Sequence, residues 1–183
     1  MNVDSLADVV CCLKDVVRTG WIKRDVENPE SVADHTYGLC LLVLLMCPDN
    51  LNKLKCFEFA VVHDLAEALT GDYTPEDTPA KEEKYRLEIE AIHKIAQKID
   101  NSTLPQLFSE YEKQDTPEAR FVKQMDKLEV VLQARYYDNN HRSSYWNKHK
   151  GAWKTLFEEF ESNACKVLDE NLQQFLNKVK KCS

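Results

Sequence analysis

Apolar positions recur at helical spacing along most of the chain. Val3, Leu6, Val9, Val10, Leu13, Val16 and Val17 form the first such run, which predicts a helix over 3–17 closed by Arg18-Thr19-Gly20. Residues 20–31 lack a period, contain Asn28-Pro29 and read as a connecting loop. A second helix is expected from Glu30 or Ser31 to about Cys47, ended by Pro48-Asp49-Asn50, and a third from about Leu54 to Thr70 with Gly71 as its stop. Tyr85, Ile89, Ile92, Ala96 and Ile99 lie on one stripe of a helix predicted over 79–99. Helices over 103–113 and 117–138 follow, the latter opened by Thr116-Pro117-Glu118, an N-cap with proline at the first helical position. The last, over 151–179, carries Trp153, Leu156, Phe157, Phe160, Val167, Leu168, Leu172, Phe175, Leu176 and Val179. No strand pair or repeat interrupts the pattern, so the expected fold is all-α, a single domain over 1–183 built as a bundle of six to seven helices.

Composition sharpens this picture. At 183 residues the chain is long enough for one sizeable core, and only 4 Gly and 6 Pro break it. A net charge of −7 argues against a nucleic-acid polymer or an anionic membrane surface as partner. A small phosphate substrate stays compatible, because a bound cation reverses the local sign. The longest apolar run, Leu39 to Cys47, is too short to cross a bilayer. Seven cysteines without a Cys-x-x-Cys pair read as reduced, mostly buried thiols, which places the protein in the cytoplasm.

Candidate chemistry gathers at His35, His63-Asp64 and Asp126, each in a segment that reads as helix or helix end. Two imidazoles and two carboxylates make a mixed nitrogen–oxygen donor set for a divalent cation, and such a cation binds phosphate and ionises water. His63 and Glu67, four apart, share a helical face, while Asp64 is turned by about 100° from His63. Each piece also has a plain structural reading. His63-Asp64 serves equally as a buried network, Asp126 as a surface partner of Lys123 or Lys127, and Glu67 and Asp72 as an exposed helix residue and a turn. Arg18 and Arg24 suit a phosphate, and Trp21 an apolar wall for a sugar or base; a core tryptophan and surface arginines are the alternative. Lys81 and Lys84, separated by Glu82-Glu83, read better as solvated surface than as phosphate contacts. His93, His141 and His149 are left outside the site.

The strings around these residues are more specific. Arg-Thr-Gly-Trp at 18–21, Glu-Ser-Val-Ala-Asp-His at 30–35, His-Asp-Leu-Ala-Glu at 63–67, Thr-Gly-Asp at 70–72 and Phe-Val-Lys-Gln-Met-Asp-Lys at 121–127 resemble, in order and spacing, the HD-domain 5′-deoxynucleotidase family. The resemblance covers about residues 10–138; the C-terminal 45 residues fit only as a helix. It implies that His35, His63, Asp64 and Asp126 hold the principal cation, Mn²⁺, Co²⁺ or Mg²⁺ by the family's habit, with Zn²⁺ and Fe²⁺ also compatible with the donors. It further implies that Arg18 and Trp21 contact phosphate and deoxyribose, although Arg-x-x-Trp here replaces an adjacent pair. Glu67 and Asp72 stand beside metal and phosphate, either as the acid/base group or, with the Tyr73 carbonyl, as holders of a second ion. The implied activity is hydrolysis of a 2′-deoxyribonucleoside 5′-monophosphate by a homodimer, an assembly that the apolar load of the last helix would suit. Other HD-type reactions, on diesters, nucleoside triphosphates or alarmones, and a non-catalytic helical scaffold with a structural metal, remain the competing readings.

Overall fold

In a computed structural model of the chain, residues 3–74, 76, 81–145 and 155–181 are described. The elements are α1 (Val3–Asp15), α2 (Thr19–Ile22), α3 (Val32–Met46), α4 (Lys53–Val62), α5 (Glu67–Thr70), α6 (Lys81–Ile99), α7 (Leu104–Lys113), α8 (Pro117–Asn139), α9 (Leu156–Ala164) and α10 (Glu170–Lys181). The fold is all-α, as the periodicity predicts, with no strand among the described residues beyond one isolated antiparallel bridge between Val17 and Ser31.

Helix α8 is the axis of the molecule and packs against α3, α4 and α9. Its start follows the predicted signal: the Thr116 hydroxyl accepts the Ala119 amide, with Pro117 next in line. Helix α3 opens on a reciprocal capping box in which Ser31 Oγ accepts the Asp34 amide and the Asp34 carboxylate accepts the Ser31 amide. Leu39, Val43, Phe59, Val122, Leu128 and Leu176 are among the fully enclosed side chains of the core these helices share.

Four expectations are corrected. The loop predicted over 20–31 begins as a helical turn, α2, which carries Trp21 into a second cluster with Val130, Tyr137 and Leu156. Helix α1 stops at Asp15, short of the predicted 17, because Val16 O accepts the Val32 amide and Arg18 N–H reaches Glu30 O. The third predicted helix is divided: α4 ends at Val62, residues 63–66 form tight turns, and α5 follows. The long final helix is divided too, because the Asp169 carboxylate accepts the Leu172 amide at 3.0 Å and so starts a new helix. Gln173 Nε2 donates to Cys165 O and Leu168 O, satisfying carbonyls between the two. Residues 151–154 of that prediction lie outside the described residues. Of the cysteines, Cys56 is buried while Cys11 is exposed, so the reading of thiols as mostly buried holds for the core only.

Candidate metal centre

The break at His63 builds the site. His63 Nδ1 lies 2.8 Å from Ala60 O, the acceptor that a continuing helix would offer to the Asp64 amide. The backbone goes on through three-residue turns instead, Leu65 N–H to Val62 O and Glu67 N–H to Asp64 O. His63 Nε2 is thereby aimed across α4 towards α3 and α8. From α3 comes His35, completely enclosed, and from α8 comes Asp126, 4% exposed.

Ligand atoms of His35, His63 and Asp126 all lie within 4.8 Å of one another. Asp64 joins them: its Oδ2 is 3.0 Å from His63 Nε2 and 3.8 Å from His35 Nε2. His35 Nε2 is 3.4 Å from Asp126 Oδ1. These approaches are close without the alignment of hydrogen bonds. Among the described residues, the buried side-chain polar atoms lacking a hydrogen-bond partner are His35 Nε2, His63 Nε2, Glu67 Oε2 and Tyr111 OH. Two buried imidazole nitrogens aimed at the same carboxylates and left without partners are costly unless something binds between them. A divalent cation with nitrogen and oxygen donors is the matching partner.

Charge around the centre is balanced by Arg18, just ahead of α2, and by Lys123 and Lys127 on α8. Arg18 NH1 is 3.3 Å from Asp64 Oδ2 and 4.0 Å from Asp72 Oδ1. Lys123 and Lys127 Nζ reach Asp126 Oδ2 at 3.3 and 3.1 Å, so the surface pairing considered for Asp126 is real, but it sits on a buried carboxylate that also faces His35. Burial opposes ionisation of Asp64, yet the His63 and Arg18 charges outweigh it and hold the carboxyl below its usual range. Burial likewise opposes Asp126, and Lys127 and Lys123 hold it well below. Glu67 moves the other way: burial, then the Asp64 and Asp72 charges, push its pKa well above the ordinary value. The His35 imidazole is pushed up to about 9; burial and Arg18 oppose its protonation, and Glu129 and Asp126 overcome them. A cation between the same carboxylates would take the place of that proton.

Asp64, Glu67 and Asp126 line a cavity of about 710 Å³, whereas His35 and His63 are buried outside its lining. Arg18, Trp21, Glu67, Asp72, Tyr73 and Lys84 all line it. Trp21 is 2% exposed, and its Nε1 donates to Glu30 Oε1 at 2.8 Å, so it is a core residue with one edge on the cavity wall. Arg24 is held by Glu159 through two hydrogen bonds, which leaves Arg18 as the arginine turned towards the centre. Asp72 is partly committed to architecture: its Oδ2 accepts the Thr19 amide and its carbonyl accepts Thr19 Oγ1 at 2.9 Å, tying α5's exit to α2. Lys84 pairs with Glu88 at 3.3 Å at the cavity's edge; the Lys81 side chain is outside the described residues. Sequence reasoning missed Glu129, Tyr111, Glu159 and Phe160. Only Glu129 had a local signal, lying three residues after Asp126 on one face of α8. Glu159 and Phe160 come from α9, where no motif was recognisable.

Known proteins resemble this chain in sequence and in fold. The HD-domain family profile matches residues 10–167, running past the 10–138 motif region into α9. The mouse protein named 5′-deoxynucleotidase HDDC2 is 46% identical over 130 residues, 69% of this chain and 65% of the mouse protein. The fission yeast 5′-deoxynucleotidase hdd1 is 40% identical over 145 residues, 75% and 73% of the two chains. The chain therefore spans slightly less than two thirds of the mouse relative's length. Among solved structures, the Pyrococcus horikoshii protein PH0347 superposes with a TM-score of 0.72 at 26% identity, covering 97% of this chain and 95% of that one. The cyanophage S-2L HD phosphohydrolase DatZ, solved with dA and one catalytic Zn²⁺ ion, gives 0.56 at 26% identity and covers 96% of each chain.

Proposed function

The chain belongs to the HD-domain family, and on that premise we propose that it is a metal-dependent phosphohydrolase that removes phosphate from 2′-deoxyribonucleoside 5′-monophosphates. The observation that carries this reading is the pair of buried, partnerless Nε2 atoms of His35 and His63, converging with the Asp126 carboxylate beneath a cavity with basic residues on its wall. The deoxynucleotide preference rests on the names of the relatives and on the dA-bound neighbour.

His35, His63, Asp64 and Asp126 would hold the cation. Nitrogen and carboxylate donors without a thiolate suit Mn²⁺, Co²⁺ or Mg²⁺, and Zn²⁺ or Fe²⁺ accept the same set. When bound, the cation supplies positive charge for the phosphoryl oxygens and a water of lowered pKa. The chain's own groups do the rest. Arg18, already facing Asp64 and Asp72, presents its guanidinium to a phosphate, with Lys84, Lys123 and Lys127 adding positive charge. Burial and the Asp64 and Asp72 charges raise the Glu67 pKa well above the ordinary value, which suits it to deliver a proton from Oε2 to the departing 5′-oxygen. Trp21 and Phe160 form the apolar wall on which sugar and base rest. A cavity of about 710 Å³ is in the range for one nucleotide.

A cytoplasmic location is part of this reading, supported by the free thiols among the described residues; no helix among the described residues is long and apolar enough to cross a membrane. It is also read as a homodimer. Leu168 and Leu176 are enclosed in the chain's own core, which takes up part of the final helix's apolar load; the exposed stripe of Tyr37, Leu41, Leu44 and Leu45 on α3 is the better candidate for the interface.

The test is phosphate release from dAMP, AMP, dATP, cyclic AMP and ppGpp, repeated over several metals after chelation. Fastest turnover of dAMP, lost in a His63→Ala/Asp64→Ala variant, is expected. Faster attack on a diester or triphosphate, or undiminished release by the double variant, would overturn the reading.

A further inference from the structure

Behind His35, on the side away from the proposed cation, lies a carboxylate that does not line the cavity. Glu129 Oε2 is 2.5 Å from His35 Nδ1, and both residues are buried. Glu129 follows Asp126 by three positions on α8, so one helical face sends one carboxylate to the front of the imidazole and another to its back. Room for the second is made on α3. Gly38 stands three residues after His35, inside a helix, where glycine is unfavourable. A Cβ built there would meet Glu129 Oε1 at 2.7 Å, Cγ at 3.2 Å and Cδ at 3.3 Å. Those are distances that only displacement of the Glu129 side chain relieves.

We propose that Glu129 is the positioning residue of the metal centre and that Gly38 is the clearance it requires. The Glu129 carboxylate accepts the Nδ1–H of His35, which fixes the tautomer with its lone pair on Nε2 and locks the ring with that lone pair towards Asp126 and His63. A carboxylate behind a ligating histidine also raises the basicity of the ligating nitrogen. Glu30 closes the arrangement: its carboxylate lies within 4.8 Å of the His35 and Glu129 atoms and is itself held by Trp21 Nε1. The inference rests on the reading of His35 as a ligand of the cation.

Chelator competition with Zn²⁺ on the full chain tests it, comparing wild type with Glu129→Gln, Gly38→Ala and His35→Ala. Glu129→Gln and Gly38→Ala should each weaken Zn²⁺ binding about 10- to 100-fold, with melts in EDTA recording any separate loss of stability in the metal-free protein. In Zn²⁺-loaded wild-type protein, long-range ¹H–¹⁵N correlation should place the His35 proton on Nδ1. An unprotonated Nδ1 in that spectrum would count against the proposal even if a variant fails to fold. Wild-type affinity in both variants, or an unprotonated Nδ1, would overturn the proposal. So would two ions bound per chain with one lost in Glu129→Gln, which would make the Glu30–His35–Glu129 cluster a cation site instead. Unaltered Zn²⁺ binding by His35→Ala would instead show that the metal centre itself had been misplaced.

Discussion

Glu67 and Asp64 are neighbouring carboxyl groups driven in opposite directions. Burial raises Glu67, and Asp64 and Asp72 raise it further, with Arg18 and Lys84 offsetting only part. A group whose folded pKa is raised keeps its proton above the usual carboxylate range and loses it as pH rises. If it protonates the 5′-oxygen, kcat falls on the alkaline side as Glu67 ionises. Glu67→Gln should lower kcat by about 10²–10⁴-fold and abolish that alkaline limb, read from kcat against pH at saturating dAMP; a retained limb would remove Glu67 from the role. Asp64 is held below its usual range despite burial, because His63 and Arg18 favour its charge. A depressed folded pKa gives stability that is present above pH ~4 and lost as pH falls through the folded value. In EDTA, Asp64→Asn should therefore cost about 1.5–3 kcal/mol near pH 7, with the gap from wild type narrowing towards pH 3. Melts at several pH values would show this, and a constant gap would contradict it. His35, His63, Asp64 and Asp126 were picked out by the order and spacing of the strings around them, since each alone had a plain structural reading. Glu129 was hidden because a glutamate on a helix reads first as solvated surface, and only the three-dimensional position of Gly38 shows why it faces inward.

The two predicted helices that the structure divides were run together for one reason. A 3.6-residue apolar stripe does not register a short break when the side chains on both sides still reach the same core. Leu156, Phe157, Leu168 and Leu176 are all buried, so the stripe runs on across the Cys165–Asp169 interruption. Polar side chains make the breaks: Asp169 starts α10 and His63 takes the Ala60 carbonyl at the end of α4. The second break matters for function, since it puts His63 and Asp64 at a turn where adjacent side chains converge. The capping signals at Ser31 and Thr116, by contrast, were readable, while those at Asn52 and Thr155 were not. Helix α9 is fixed at its start by Asp138, whose carboxylate accepts the Leu156 amide at 3.1 Å and the Phe157 amide at 2.8 Å. Phe160 on α9 packs against Trp21 at 4.6 Å between ring centroids. Asp138→Ala should lower stability by about 1–3 kcal/mol and, by loosening this wall, raise KM for dAMP more than it lowers kcat. Denaturant melts and steady-state kinetics check both, and an unaltered KM would separate α9 from substrate binding.

At the scale of the whole molecule, a chain of net charge −7 collects Arg18, Lys84, Lys123 and Lys127 around one cavity. Those cations share the wall with Asp64, Glu67, Asp72, Glu76, Asp126 and Glu159, so the proposed bound cation would be what turns the local charge in favour of an anionic substrate. The opposite economy holds for apolar groups: most are enclosed, yet Tyr37, Leu41, Leu44 and Leu45 stand exposed on α3, with Leu45 at 71%. Their spacing of four, seven and eight residues places them on one face, and His35 and Leu39 face inward from the same helix. An interface there would brace the helix that delivers a metal ligand, without covering the cavity-lining residues. Exposed apolar patches of this kind mark association surfaces. Light scattering on the purified protein should give twice the 21.2 kDa chain mass. The Leu44→Glu/Leu45→Glu variant should fall to the monomer, with its own stability changed by about 0.5 kcal/mol or less when dimer dissociation is taken into account. A wild-type monomer at high concentration, or a variant that remains dimeric, would exclude this face as the interface.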